Sequence, residues 1–218
     1  MADVAHILSK LPTRHVGTGD TVPYLAPTGW HLDSLAGRLT ELTANNSPAV
    51  LSAAMSLVRE AQINGEPAVW ITPLETLFFP PDVAKMGIDL AALTVVQVPF
   101  SAMAKAADRV IRSGGFGLVV LDMVTEKGRC PGLPMRSGGG WLSRLGGLAN
   151  RHDTAVLFLT HGDEGGTSLG VLVSLRGEAR RLRVEADRFN VDIRVTKNKR
   201  GTYGQHHRES CYGPAGLC

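Results

Sequence analysis

Two acidic residues stand where a nucleotide-hydrolysing α/β site would need them. Glu75 follows the apolar run Ala68 to Ile71, and Asp122 ends the run LVVLD. An acid at a strand end can hold the magnesium shell, and a second one can activate water. Each also has a simpler explanation, since Asp122 can cap the next turn and Glu75 can be a surface acid. We favour these simpler roles and treat the pair as a vestigial nucleotide site.

The main reason is the stretch where a phosphate-binding loop should lie. Leu42 to Leu51, LTANNSPAVL, contains no glycine and no lysine, and Pro48 stands near the expected lysine position. Proline removes a backbone donor, and side chains occupy the places where glycines let amides wrap a phosphate. The sequence therefore predicts no nucleotide cofactor and no enzymatic activity. A divergent ATPase is the less favoured alternative.

Other chemistries have weaker support. The chain has no HExxH or CxxC motif. His206, His207, Cys211 and Cys218 have a spacing that matches no common zinc pattern, so we expect no metal. His161, after another apolar run, is interpreted as a hydrogen-bonded loop histidine.

Composition predicts one domain with flexible ends. The chain has 218 residues, 44% of them hydrophobic, and three cysteines, too few and too odd in number for a disulfide framework. No run approaches the roughly 20 apolar residues of a membrane-spanning helix. We therefore expect a cytoplasmic protein that does not enter membranes.

The net charge of +3 is unevenly distributed. Between residues 176 and 208 there are ten Lys or Arg against four Asp or Glu. These cations could bind a nucleic-acid backbone, or they could be the solvated face of edge strands.

The elements that would position these residues form an α/β pattern. Short continuous apolar runs, typical of parallel strands covered on both faces, alternate with helical segments. The predicted strands are Ala68 to Ile71, Leu93 to Val98, Leu118 to Leu121 and Ala155 to Leu159; the predicted helices are Ala49 to Gln62, Phe100 to Arg112 and Trp141 to Arg151. The fold class is therefore a mainly parallel central sheet flanked by helices.

The carboxy-terminal third should add antiparallel strands, because the joins between its segments are too short for helical crossovers. We predict these strands at Leu169 to Arg176, Arg181 to Arg188 and Val191 to Lys197. The domain organisation is then an extended arm at 1–28, a core at 29–200 and a flexible tail at 201–218. Thr125 to Gly140, rich in Gly and Pro, is expected to be a mobile surface loop.

The collinear order of several segments resembles RecA-type recombinases over most of residues 27 to 201. The segments are PTGWHLDSLAGRLTEL, NGEPAVWITP, SGGFGLVVLD, AVLFLTH and VDIRVTKNKRG. Within that superfamily the phrase LFFPPDVAKMGIDLAALTVVQVP looks most like ImuA, the RecA-like accessory protein of SOS mutagenesis cassettes. The resemblance implies a RecA-like core.

The resemblance also implies candidate contacts. RecA carries two DNA-binding loops; the first would include Arg129 and Arg136, whereas the second is reduced here to the short, acidic GDEGGTS at Gly162 to Ser168. Lys197 and Lys199 resemble lysines that in RecA reach a neighbour's ATP, and with Arg200 they are candidates for contacting DNA or a RecA protomer.

An ImuA-type protein would act in translesion synthesis without catalysis of its own. The implied partners are RecA, an ImuB-type Y-family polymerase homologue and an error-prone replicative-type polymerase subunit. The aromatic and basic tail residues Tyr203, His207, Arg208 and Tyr212 are the candidate anchors for RecA. The alternative from a different class is a sequence-independent DNA-binding module of recombination or repair.

Overall fold

The structure, a computed structural model, describes residues 29–44, 49–76, 86–124, 140–162, 168–184 and 188–212. The elements in chain order are α1 (Leu32–Leu35), β1 (Arg38–Ala44), α2 (Ala49–Ile63), β2 (Ala68–Pro73), β3 (Leu93–Val98), a 3₁₀ turn (Phe100–Ala102), α3 (Met103–Arg112), β4 (Leu118–Asp122), α4 (Gly140–His152), β5 (Ala155–His161), β6 (Leu175–Arg183), β7 (Arg188–Asn198) and β8 (His206–Tyr212).

All eight strands form one sheet in the order β3-β2-β4-β5-β1-β6-β7-β8. The pairings from β3 to β6 are parallel, and β7 and β8 are added antiparallel. The predicted fold class is confirmed: an α/β protein with a mainly parallel sheet and antiparallel strands at its carboxy-terminal end.

Helices cover the parallel part of the sheet on both faces, and alternate residues of its central strands pack in two hydrophobic cores. Trp70 of β2 and Leu157 of β5 pack in the core on the α2 side. Their chain neighbours Ile71 and Phe158 pack in the core below α3 and α4. Strand side chains alternate between faces, so continuous apolar runs are what a doubly covered sheet requires.

The strands β2, β3, β4 and β5 and the three long helices agree with the predictions to within two residues, except that Phe100–Ala102 is a 3₁₀ turn ahead of α3. β1 was not among the predicted strands. Among the described helices, none is long and apolar enough to cross a bilayer.

The carboxy-terminal strands differ from the prediction. The expected strand Leu169 to Arg176 is wrong over its first half, where the Val173 amide donates to the Gly170 carbonyl in a turn. The expected strand Arg181 to Arg188 is also wrong, since Leu175–Arg183 is one strand and Arg188 begins the next. Charged residues that had been interpreted as polar connections lie inside the sheet. The predicted bounds of the carboxy-terminal strands were wrong for this reason.

The expectation of an irregular tail from Gly201 is wrong over residues His206–Tyr212. They form β8, which pairs with β7 from Arg188↔Tyr212 to Arg194↔His206. Its polar sequence made it hard to recognise, because among residues 206–211 only Cys211 is buried. The predicted arm at 1–28, most of the loop at 125–140 and residues 213–218 lie outside the described part of the chain.

Candidate functional site

The carboxyl edge of the parallel sheet holds the predicted vestigial nucleotide site. Asp122, the last residue of β4, is only 5% exposed. Its Oδ1 accepts the Val124 amide at 3.2 Å. Burial raises the pKa of Asp122 to about 6, and the Val124 amide, followed by the nearby Trp70 side chain, offsets part of the rise. Asp122 therefore accepts a hydrogen bond from the backbone amide two residues later, as a residue that caps a turn does.

Glu75 follows β2 at the same edge of the sheet, since β2 and β4 are parallel neighbours. It lies exposed in the turn after β2, whereas Asp122 is buried. His161 ends β5 opposite Ala44, the last residue of β1. Residues 45–48, which include the position where a phosphate loop would need its glycines, lie outside the described part of the chain.

The sequence predictions missed Glu41, a buried carboxylate in the middle of β1. It is 2% exposed. Its Oε1 accepts the Thr160 hydroxyl at 3.1 Å, and its Oε2 accepts the Ser168 hydroxyl at 2.7 Å and the Leu169 amide at 3.0 Å. The only sequence signal was an acid inside a strand whose seven residues are all buried. The hydrogen bonds from Ser168 and Leu169 to Glu41 hold the segment that follows β5 against the sheet.

Glu41 also begins a row of ion pairs that crosses β1, β6, β7 and β8, which we call the charged ladder. Its ion pairs are Arg176–Glu41 (3.6 Å), Arg176–Glu178 (3.9 Å), Arg194–Glu178 (2.8 Å) and Arg208–Asp192 (3.4 Å), and His206 Nδ1 lies 2.9 Å from the same Asp192. Side-chain exposure is 9% for Arg176 and 3% for Glu41. Several cations of the basic carboxy-terminal third are therefore paired within the protein.

The predicted contact residues Lys197, Lys199 and Arg200 hold the chain's own backbone. Lys197 Nζ donates to the Gly170 carbonyl at 3.3 Å, and Lys199 Nζ donates to the Val171 carbonyl at 2.5 Å. Arg200 donates to the carbonyls of Ala36 and Gly37 at 3.1 and 2.9 Å. Burial, followed by the neighbouring Lys199, lowers the pKa of Lys197.

These cations lie far from the vestigial nucleotide site of the same chain. Asp122 belongs to β4 and Lys197 to β7, four strands apart in the sheet order. At roughly 4.8 Å per strand this is about 19 Å. The two features are therefore not parts of one site within a single molecule.

The turn that Lys199 holds carries exposed apolar side chains. Val171 is 80% exposed and Leu172 is 45% exposed. Tyr203, in the turn between β7 and β8, is 74% exposed. We call Val171, Leu172, Lys199, Arg200 and Tyr203 the hairpin surface. It consists of apolar and aromatic groups beside cations, the composition of protein-binding patches.

The four predicted tail anchors do not share one face. Tyr203 lies on the hairpin surface, whereas Arg208 is 62% exposed and pairs with Asp192 in the charged ladder. His207 points to the opposite face of β8, where its Nε2 lies 2.6 Å from Glu209 Oε1. Tyr212 is the last residue of β8. Strand alternation separates residues that are adjacent in the sequence.

His207 belongs to a small polar cluster between β8, α1 and α2. Its ring meets that of His31 edge to face at 5.0 Å, and His31 Nδ1 lies 3.9 Å from Glu60. Burial raises the pKa of Glu60. Burial also acts to raise the pKa of Glu209, but hydrogen bonds from His207 and Ser56 bring it below its usual value. Among the described residues, no three His, Cys, Asp or Glu side chains are grouped to hold a metal ion.

Comparison with known proteins finds RecA. The chain is 28% identical to protein RecA of Aquifex pyrophilus over 193 residues, covering 75% of the chain and 55% of the relative. It is 28% identical to RecA of Kineococcus radiotolerans over 75% of the chain and 55% of the relative. It is 33% identical to RecA of Corynebacterium urealyticum over 129 residues, 57% of the chain and 34% of the relative. The chain spans about half the length of the first two of these relatives, and no family model matches it.

The sheet and these similarities together define a RecA-like α/β protein, distantly related to the recombinase.

Proposed function

We propose that this protein is a non-catalytic accessory factor of the ImuA kind, which binds RecA and modulates it during tolerance of DNA damage. The observation that carries the proposal is a RecA-like chain whose β1–α2 connection has neither the glycines nor the lysine of a phosphate loop. Such a chain can keep the surfaces of a RecA-like protomer without turning over ATP. An ImuB-type polymerase homologue and an error-prone replicative-type polymerase subunit are the further partners in this proposal, as is a cytoplasmic location.

The hairpin surface is the proposed contact with RecA. Lys199 and Arg200 hold its two turns by hydrogen bonds to backbone carbonyls, so the exposed Val171 and Tyr203 are presented on a fixed backbone. A preorganised patch loses less conformational entropy on binding than a disordered tail does. An aromatic side chain beside cations is the kind of anchor that contributes most to protein interfaces.

The test is a titration of the protein into RecA's single-strand-dependent ATPase and strand-exchange reactions. We expect a saturable change in both, and the variant Val171→Ser/Tyr203→Ser should need roughly tenfold more protein to reach it, about 1.4 kcal/mol. Leu74→Ser is the matched control, since Leu74 is 57% exposed in the turn after β2, outside the hairpin surface. Point variants are preferable to removing the tail, because β8 is part of the sheet.

The outcomes separate the parts of the proposal. No change in RecA activity, with no binding detected by sedimentation, would overturn RecA as a partner. If Val171→Ser/Tyr203→Ser changed RecA activity as strongly as the wild type does, the contact with RecA would have to lie on another surface. Nucleotide binding at millimolar ATP, measured by calorimetry, would contradict the non-catalytic reading.

A further inference from the structure

The outer face of the α3–α4 layer carries a set of cations that the charged ladder does not include. We call this set the basic helix face: Lys105, Arg109 and Arg112 of α3, with Arg144 and Arg151 of α4. Spacings of three, four and seven residues place them on one stripe of each helix. All five are exposed.

The apolar stripes of both helices fix this orientation. Met103, Ala107 and Ile111 of α3 are buried, as are Leu142 and Leu145 of α4. These residues pack in the core over the sheet, so the cationic stripes must face solvent.

One carboxylate, Asp108, is shared by two of the cations. Arg144 Nε lies 2.6 Å and Arg112 3.3 Å from the same oxygen, Oδ1. The acid that follows α4, Asp153, lies beside Gly37, before β1. Five cations against one shared carboxylate leave the basic helix face strongly positive, which attracts a polyanion.

A cleft of about 310 Å³ opens between the two helices within this face. Lys105, Asp108, Trp141 and Arg144 are among the residues that line it. Trp141 is half-buried, whereas the other two tryptophans, Trp30 and Trp70, are 0% and 1% exposed. An aromatic ring in a cleft bordered by cations is an arrangement that holds a stacked base between phosphate contacts.

The solvent side of α4 also allows a close approach. At Gly140, which lines the cleft, and at Gly147 an added Cβ would meet nothing within 4 Å. A bulky ligand can therefore reach the helix backbone between Arg144 and Arg151 without displacing side chains.

We propose that the basic helix face binds single-stranded nucleic acid, with the cations on the phosphates and Trp141 against a base. This site includes neither the loop arginines Arg129 and Arg136 nor the hairpin surface proposed to contact RecA. It therefore stands or falls separately from the proposed function.

The first experiment measures the affinity for fluorescently labelled oligothymidine by anisotropy over a range of salt concentrations, without RecA. Lys105→Glu/Arg109→Glu/Arg151→Glu should bind at least about tenfold more weakly at low salt. The slope of log K against log salt should become shallower by about 2, since each contact with a single-strand phosphate contributes about 0.7. Asp108 and its two arginines are left intact to preserve the fold.

The matched control is Arg59→Glu/Arg180→Glu/Arg188→Glu, which makes the same change in net charge at exposed positions on α2, β6 and β7. Circular dichroism verifies that both variants are folded. Wild-type affinity in the helix-face variant, or an equal loss in the control, would overturn the proposal. The second of these results would instead favour the basic strands.

The second experiment does not depend on charge reversal. Oligothymidine should quench the intrinsic tryptophan fluorescence of the full chain, and Trp141→Phe should abolish the quenching because Trp30 and Trp70 are buried. Quenching that persists in Trp141→Phe, or binding without quenching in the wild type, would refute the role of the cleft.

Discussion

Replacing Glu41 with Gln tests whether a buried carboxylate holds the charged ladder and the segment after β5 in place. The substitution preserves the side-chain shape and removes the charge. Glu41 accepts three hydrogen bonds and faces Arg176, whose side chain is 9% exposed. Without Glu41, a buried guanidinium loses its nearer counter-charge, and one acceptor oxygen becomes a donor NH₂ group that faces other donors.

Removing one partner of a buried ion pair costs about 3–5 kcal/mol. Glu178 remains 3.9 Å from Arg176 and retains part of the compensation. We therefore expect the lower end, a loss of about 3 kcal/mol in the free energy of unfolding. Urea unfolding followed by circular dichroism should show the midpoint falling by roughly 1–3 M, given slopes of about 1–3 kcal/mol/M for small proteins.

A double-mutant cycle separates charge pairing from packing. Arg176→Met alone also leaves a charge buried without its partner, so it should be destabilising by a similar amount. Glu41→Gln/Arg176→Met leaves no charge at either position and should cost clearly less than the sum of the two single changes. Additive losses, or a loss below about 1 kcal/mol for Glu41→Gln, would refute the reasoning.

Two further predictions concern stability. Because the pKa of Asp122 is raised in the folded state to about 6 from 3.8, folding favours its protonated form, and the wild type should lose up to about 3 kcal/mol as the pH rises from 4 through 6. The variant Asp122→Asn should lack that loss of stability. The prediction is contradicted if urea unfolding shows the same pH dependence for the wild type and for Asp122→Asn. An alanine Cβ at Gly177 would lie 2.7 Å from Trp30 and 2.8 Å from Ile193, so Gly177→Ala should cost about 1–3 kcal/mol. Gly147→Ala, in open space within α4, should instead stabilise the folded protein by about 1 kcal/mol. Thermal unfolding measures both variants, and a higher melting temperature for Gly177→Ala than for Gly147→Ala would contradict the packing argument.

Apolar continuity explains why the central strands were predictable. In β2, β4 and β5 nearly every residue is both apolar and buried, so the sequence and the environment agree. The helices were equally clear, because the apolar residues of α3 recur at helical spacing and cover one core.

Strands that bury polar residues were harder to place. β1 buries Arg38, Thr40, Glu41 and Thr43, and hydropathy gives such a strand no clear bounds. β6 was misplaced for the same reason, because it buries Arg176 and Glu178 and these charges suggested a turn. Arg38, Glu41 and Arg176 are stabilised by partners distant in the chain, and a single sequence does not reveal that pairing.

The candidate site divides in the same way. The residue types of Lys197, Lys199, Arg200 and Tyr203 marked a chemically distinctive segment, but the carbonyls that the three cations bind and the exposed Val171 beside them depend on the tertiary fold. Arg129 and Arg136 lie outside the described residues, so their role remains a prediction.

The charged ladder also affects the order in which the sheet opens. β2, β4 and β5 are held between two apolar cores, whereas one face of β6, β7 and β8 is held by ion pairs, several of them partly exposed. Added sodium chloride screens the exposed pairs and leaves the apolar contacts intact. Amide hydrogen exchange in salt should therefore quicken first in β8 and in the part of β7 that pairs with it.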